Sequence, residues 1–250
     1  MLKVKNIEFS YKNNKVLNNV TFNSDYGYIT TILGKNGSGK TTLIKTINRL
    51  LKPQSGDIII ENKNIDKLKR YELSKKIGYC PQYSYTPETT VFETILAGKF
   101  PQTRWFTNKK DLESVNEIID FLGLAEISFK SINQISGGEL QKVIIARAII
   151  SKPKILLLDE PINHLDIKNQ HEIMQLLYKI TKKLKINTII VLHDINIALR
   201  YGEKFIVLKN GQIIASGDKK NITENIIKEA YNINVKIVYF NSIPLVVPFY

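Results

Sequence analysis

An internal disulfide is excluded, because Cys80 is the only cysteine among 250 residues. A lone thiol suits a reducing compartment and rules out a cysteine-built metal centre. Cys80 therefore reads as a small buried apolar residue. Long apolar runs are missing too. Stretches such as 155–158 and 189–192 are strand-sized, whereas a helix needs about 20 apolar residues to cross a bilayer. No apolar leader follows Met1-Leu-Lys-Val-Lys, so a signal peptide is not expected. Any membrane role is then expected to need another chain. Internal repeats and low-complexity linkers are also absent, and histidine is limited to His164, His171 and His193.

Hydrophobic residues make up 43% of the chain, enough for a core, so disorder is not expected. The length suits one large α/β domain, or one core carrying an insertion. The formal charge is +13 and the pI about 9.5. Such a charge attracts nucleotides, anionic lipid or nucleic acid. The lysines are scattered rather than gathered into an arm, and Lys, Ile and Asn are favoured throughout. A nucleic-acid partner is therefore not expected.

Residues 2–9 alternate loosely, with Leu2, Val4 and Asn6 against Lys3, Lys5 and Ile7, and predict a strand. Residues 16–22 and 28–33 read as further strands. A glycine-rich loop occupies 34–40, and 41–51 has helical spacing until Pro53 and Gly56 break it. Residues 57–60 start a new strand. Helical patterns dominate from about 83 to 150, at 91–98, 111–122 and 139–150. Strands at 154–158 and 188–192 flank a helix at 170–184, which presents His171 on an exposed face. Asn210-Gly211 between 205–209 and 212–215 signals a type I′ hairpin. A helix at 222–231 and strands at 235–240 and 245–247 follow. The class is α/β with a helical insertion.

Residues 34–41, Gly-Lys-Asn-Gly-Ser-Gly-Lys-Thr, match G-x-x-x-x-G-K-[ST] in full. The glycines let backbone N–H groups curl inward toward phosphate oxygens. The following helix aims its positive end at the same point. Lys40 adds charge for the β- and γ-phosphates, and the Thr41 hydroxyl is placed to ligate Mg²⁺.

The apolar run 155–158 ends in Asp159-Glu160-Pro161. Ligands collect at strand carboxyl ends in open α/β sheets. Asp159 can hold Mg²⁺ through water there, and Glu160 can polarise an attacking water. A polar strand end or a helix-capping acid is the plainer alternative. Residues 188–192 end in His193, which can donate to a γ-phosphate, orient the water, or simply sit at the surface.

With these pieces in order, the chain resembles the ATP-binding-cassette (ABC) ATPases. The stretch Ile135-Ser-Gly-Gly-Glu-Leu-Gln141 looks like that family's signature loop. Ser136 with Glu139 also reads as a capping box, and the cap would itself build a second anion site. The resemblance covers nearly the whole chain. It implies adenine stacking by Tyr11, base and ribose contact by Val16, and phosphate binding by Asn36, Gly37, Ser38, Gly39, Lys40, Thr41 and Thr42. It implies Gln82 as a contact for Mg²⁺ and water, and residues 163–166 as a loop crossing a dimer interface. His193 matches the switch histidine. Ile135, Glu139 and Asn163 depart from the commonest family residues without removing a reactive group, so an active ATPase is expected.

The family implies a head-to-tail homodimer in which ATP lies between the 34–41 loop of one chain and Ser136, Gly138 and Glu139 of the other. The catalytic set would be Glu160, His193, Gln82 and Lys40, and the metal set Thr41, Gln82 and Asp159. Residues 1–82 and 154–218 would form the nucleotide-binding core, 83–153 a helical subdomain, and 219–250 a C-terminal extension. Residues 91–101, 193–201 and the tail look like the branch that imports iron chelates, haem or cobalamin. This implies a membrane permease, indirectly an extracytoplasmic binding protein, and a peripheral site on the cytoplasmic face of the membrane. Tyr83, Tyr85 and Phe92 are candidates for a groove holding a permease helix, or for core packing. A soluble ABC ATPase such as an iron–sulfur assembly factor is the alternative.

Overall fold

The computed structural model describes residues 1–82, 88–99 and 108–249. Strands β1 (Leu2–Tyr11), β2 (Asn14–Ser24) and β3 (Ile29–Leu33) lead into helix α1 (Lys40–Ile47). Next come β4 (Ser55–Ile60), β5 (Lys63–Asn64), α2 (Arg70–Lys76) and β6 (Ile77–Cys80). Helices α3 (Val91–Ala97), α4 (Lys109–Leu122) and α5 (Gly137–Ile149) follow. The chain then alternates through β7 (Ile155–Asp159), α6 (Ile167–Leu184), β8 (Asn187–Val191) and α7 (Ile195–Tyr201). After these come β9 (Lys204–Lys209), β10 (Gln212–Gly217), α8 (Glu224–Tyr231), β11 (Val235–Phe240) and β12 (Ile243–Pro248).

The main sheet has the order β10-β9-β3-β8-β7-β6 and is parallel except for the β9–β10 hairpin. Strands β3, β7 and β8 are buried along their whole length. Continuous apolar runs are what strands covered on both faces require. Leu156 and Leu158 face one core, shared with Ile95, Val115, Ile145 and Leu177 from the helices. Ile155 and Leu157 face the other, built with α1 and the antiparallel sheet β2-β1-β4-β5. The sheet is thus the middle of three layers.

The strand at 2–9 departs from simple alternation. Asn6 takes a left-handed φ of +50°, and the register to β2 shifts between Val4 and Ile7. This bulge changes the phase, so Ile7 and Phe9 join Leu2 and Val4 inside while Asn6 turns to solvent. The first helix is shorter than its apolar spacing suggests, because Arg49 turns left-handed at φ +55° just after it. Asn210 and Gly211 have φ values of +47° and +77°, the expected type I′ turn.

Strand β6 was invisible to periodicity. Its four residues include Gly78, where a Cβ would lie 2.3 Å from the carbonyl oxygen of Ala148. The glycine lets the end of α5 rest directly on the strand. Helices α2 and α7, seven residues each, likewise went unread in the apolar pattern. His171 is half-buried rather than exposed, and its Nδ1 hydrogen-bonds the Tyr201 hydroxyl at 2.9 Å. Cys80 is buried as expected, and burial pushes its thiol up to about 12.

Candidate nucleotide site

Parallel registry fixes the site before any side chain is considered. Ile32 pairs with Val191, and Asp159 pairs with the same Val191. Cys80 pairs with Leu158. The ends of β3, β6, β7 and β8 therefore lie level. The 34–39 loop, Gln82, Asp159-Glu160 and His193 emerge side by side at the carboxyl edge of the sheet. A cleft of about 640 Å³ opens there, within the roughly 300–1,000 Å³ range of small-molecule sites.

Val16, Asn36, Gly37, Gly39, Lys40, Thr41, Thr42, Gln82, Glu160 and His193 line the cleft. Gly39 has φ +102°, and a Cβ there would lie 2.9 Å from the Val16 carbonyl. Only glycine brings the loop this close to β2. Lys40 is buried and donates to the carbonyls of Gly34 and Lys35 at 2.8 and 3.1 Å. Burial pulls its amine below the ordinary lysine value, against the opposing charges of Glu160 and Asp159.

Asp159 is buried, and its Oδ1 accepts from the Thr41 hydroxyl at 3.0 Å. Burial pushes its carboxyl up, partly offset by that hydrogen bond. Asp159 Oδ2 and Ser38 Oγ are buried with no hydrogen-bond partner among the described residues. A buried polar atom without a partner costs free energy, so both are suited to meeting a polar ligand. No cluster of three or more His, Cys, Asp or Glu that could hold a metal occurs among the described residues. A hydroxyl beside one carboxylate is instead the sparse oxygen set that fits Mg²⁺ shared with phosphate oxygens and water.

Glu160 has an unusual left-handed φ of +54°. Its N–H donates to the Val191 carbonyl at 3.2 Å, so the turn is anchored to β8. Its carboxylate accepts from Gln82 Nε2 at 2.6 Å, from Asn163 Nδ2 and from His193 Nε2. Three donors thus converge on one carboxylate facing the cleft.

The remaining candidates fall elsewhere. Tyr11 pairs with Asn14 across the β1–β2 turn and packs edge-on against Phe9 at 4.8 Å. Asn14, not Tyr11, lines the cleft. Ser136, Gly138 and Glu139 begin α5 and are not among the cleft residues. The Ser136 N–H donates to Glu139 Oε2 at 2.8 Å and Ser136 Oγ accepts the Glu139 N–H at 3.3 Å, the capping box expected there. Sequence reasoning missed Asn14 and His164 in the lining, and assigned Asn163 to an interface loop alone. His164 had been assigned with Asn163 to that interface loop. Asn14 carried no signal.

Comparison with known proteins agrees with this geometry. The family profile described as ABC transporter matches residues 17–163. The chain belongs to the ABC transporter family of ATPases. An uncharacterized ABC transporter ATP-binding protein of Methanocaldococcus jannaschii is 45% identical, covering 99% of this chain and 98% of that protein. The ferric enterobactin transport ATP-binding protein of Escherichia coli is 33% identical, with 99% and 93% covered. Among solved structures, a dimeric post-hydrolysis ATP-binding cassette bound to ADP and Pi superposes with a TM-score of 0.76. It is 34% identical, and the match covers 87% of this chain and 98% of that one. ABC ATPases of this kind dimerise and partner with membrane permeases. No helix among the described residues of this ABC protein is long and apolar enough to cross a membrane.

Proposed function

We propose that this ABC ATPase powers import of an iron chelate (siderophore), haem or a cobalamin-type substrate through a separate permease. The convergence of Lys40, Thr41, Glu160 and His193 on one cleft, with Asp159 hydrogen-bonded to Thr41, carries the ATPase part of the reading. The likeness to a ferric enterobactin transport protein supports the cargo class.

In this reading Asn36, Gly37, Ser38, Gly39, Lys40, Thr41 and Thr42 hold the phosphates and Val16 lies beside the base, with Tyr11 outside the cleft lining but adjoining it through its pair partner Asn14. Thr41, Asp159 and Gln82 would hold Mg²⁺, which when bound would supply positive charge to offset that of the phosphates. Glu160 takes the proton of the attacking water, and His193 and Gln82 fix its orientation through the hydrogen bonds described above. Ser136, Gly138 and Glu139 act on the nucleotide of a second copy. Their separation from the cleft within one chain supports this division.

Residues 1–82 and 154–218 form the nucleotide core, 83–153 the helical subdomain and 219–250 a C-terminal extension. The helical part would meet the permease at the cytoplasmic face of the membrane, with an extracytoplasmic binding protein delivering cargo to that permease. Tyr83 and Tyr85 lie outside the described residues. Phe92 stacks on Phe129 with centroids 6.1 Å apart, and Phe129 is 81% exposed. Phe92 is half-buried against the core, and the exposed Phe129 beside it suits a protein contact.

The test is to seek a multi-span permease in the adjacent reading frames, co-express it with this chain and reconstitute the complex in vesicles. ATP-driven uptake of a labelled ferric siderophore, haem or cobalamin is expected. Uptake of none of the three, by vesicles in which the complex hydrolyses ATP, would refute the cargo class.

A further inference from the structure

The N–H of Gly34 is the first backbone donor after β3. It donates to the Tyr231 hydroxyl at 2.9 Å. The carbonyl of the same glycine accepts from Lys40 Nζ at 2.8 Å. Gly34 has φ +147°, and a Cβ there would lie 2.3 Å from Leu208 O and 2.6 Å from Ser38 Oγ. The phosphate loop thus begins wedged against β9, with its first residue held by Tyr231 on one side and Lys40 on the other.

Tyr231 ends α8, which is itself firmly seated. Ile227 and Ala230 are buried in one apolar cluster with Val207, Val235 and Val246. Glu224, at the other end of α8, accepts the Ile237 N–H at 3.0 Å and ties the helix to β11. The β11–β12 hairpin is clamped in turn to α7. Asn196 Oδ1 accepts the Val246 N–H at 2.7 Å, and its Nδ2 donates to the Val246 carbonyl at 3.3 Å. Helix α7 directly follows His193. One C-terminal unit therefore grips both the first residue of the phosphate loop and the helix behind the switch histidine.

We propose that Tyr231 is a positioning residue for the phosphate loop: its hydroxyl fixes the Gly34 amide, and through it the C-terminal unit sets how tightly the loop holds nucleotide phosphates. This rests on the reading of 34–41 as the nucleotide site. The hydroxyl acts as a neutral acceptor, since burial pushes the phenol up to about 12 and the proton stays on at neutral pH. The ring keeps its packing against the apolar cluster without that oxygen, so the contact can be tested alone.

Tyr231→Phe in the full chain isolates it. Binding of ATP and of ADP would be measured by titration calorimetry with Mg²⁺, beside steady-state ATPase kinetics and thermal melts. Loss of this acceptor predicts roughly 3- to 10-fold weaker binding of both nucleotides and a matching rise in KM. The kcat at saturating ATP should stay within about twofold, because the Tyr231 hydroxyl bonds the loop backbone and not Glu160, His193 or Gln82. Faster hydrogen exchange across residues 34–40 should accompany these changes. Unchanged affinities and KM, whether or not the melting temperature falls, would overturn the proposal. A wild-type protein that binds neither nucleotide would instead overturn the reading of the site itself.

Discussion

Replacing Glu160 with glutamine separates the chemistry of the cleft from its architecture. Glu160 is only 8% exposed and accepts from Gln82, Asn163 and His193. Gln82 and Asn163 both bond Oε2, and His193 alone bonds Oε1. An amide oxygen at the Oε2 position keeps two lone pairs for the first two donors, and its NH₂ at Oε1 can donate to a neutral His193 ring nitrogen. The substitution therefore leaves no partner stranded. Charge-assisted bonds give way to neutral ones, a loss of about 1 kcal/mol per bond, set against relief of a buried charge. Glu160→Gln should fold, with its melting temperature within a few degrees of wild type. Turnover is another matter. A positioned general base contributes roughly 10²–10⁴-fold, or about 2.7–5.4 kcal/mol of barrier at 1.36 kcal/mol per tenfold. Phosphate release at saturating MgATP should fall by about that factor, while size-exclusion chromatography retains an ATP-dependent dimer. A kcat within about threefold of wild type would refute the assignment of the proton to Glu160. Loss of ATP binding would instead make Glu160 a binding residue.

Asp159→Asn should stabilise the nucleotide-free fold and weaken Mg²⁺-dependent ATP binding, read by melts and titration. Burial raises the Asp159 carboxyl in the folded state, so the folded chain binds the proton more readily than the unfolded one. Stability from this group therefore rises as pH falls from above the raised value toward the unfolded one. The substitution should flatten that part of the pH–stability curve, and an unchanged curve would count against a desolvated Asp159. Glu139 behaves oppositely. The Ser136 N–H, and then its hydroxyl, hold the carboxyl below its ordinary value of 4.5. Its contribution is full above about pH 4.5 and is lost on acidification through the lower folded value. Glu139→Gln should melt slightly earlier than wild type at pH 7, and the two melts should converge in acid. A constant gap across pH would show that the cap does not depend on charge.

Several features were legible in the residues alone. The glycine spacing at 34–41, the acids after an apolar run at 155–158 and the histidine after 188–192 each carry chemistry in local order. Local order is what sequence preserves. Strand β6, by contrast, is defined by pairing with β7 and by the packing of Gly78 under α5, neither of which leaves a periodic trace. The bulge at Asn6 misled a simple alternation, because one left-handed residue reverses the phase of all that follow.

By itself, then, the sequence determined which groups are available: the loop, the carboxylates, the histidine and the capping box at Ser136. Only the tertiary structure decided how they meet. Parallel registry levels the ends of β3, β6, β7 and β8, and so gathers on Glu160 three donors from 78 residues upstream to 33 residues downstream. Non-local pairing also carries Tyr231 back to Gly34 across 197 positions. No motif encodes that contact, because it depends on where α8 docks against the sheet. Docking is set by the shape of a shared apolar core rather than by any spacing along the chain.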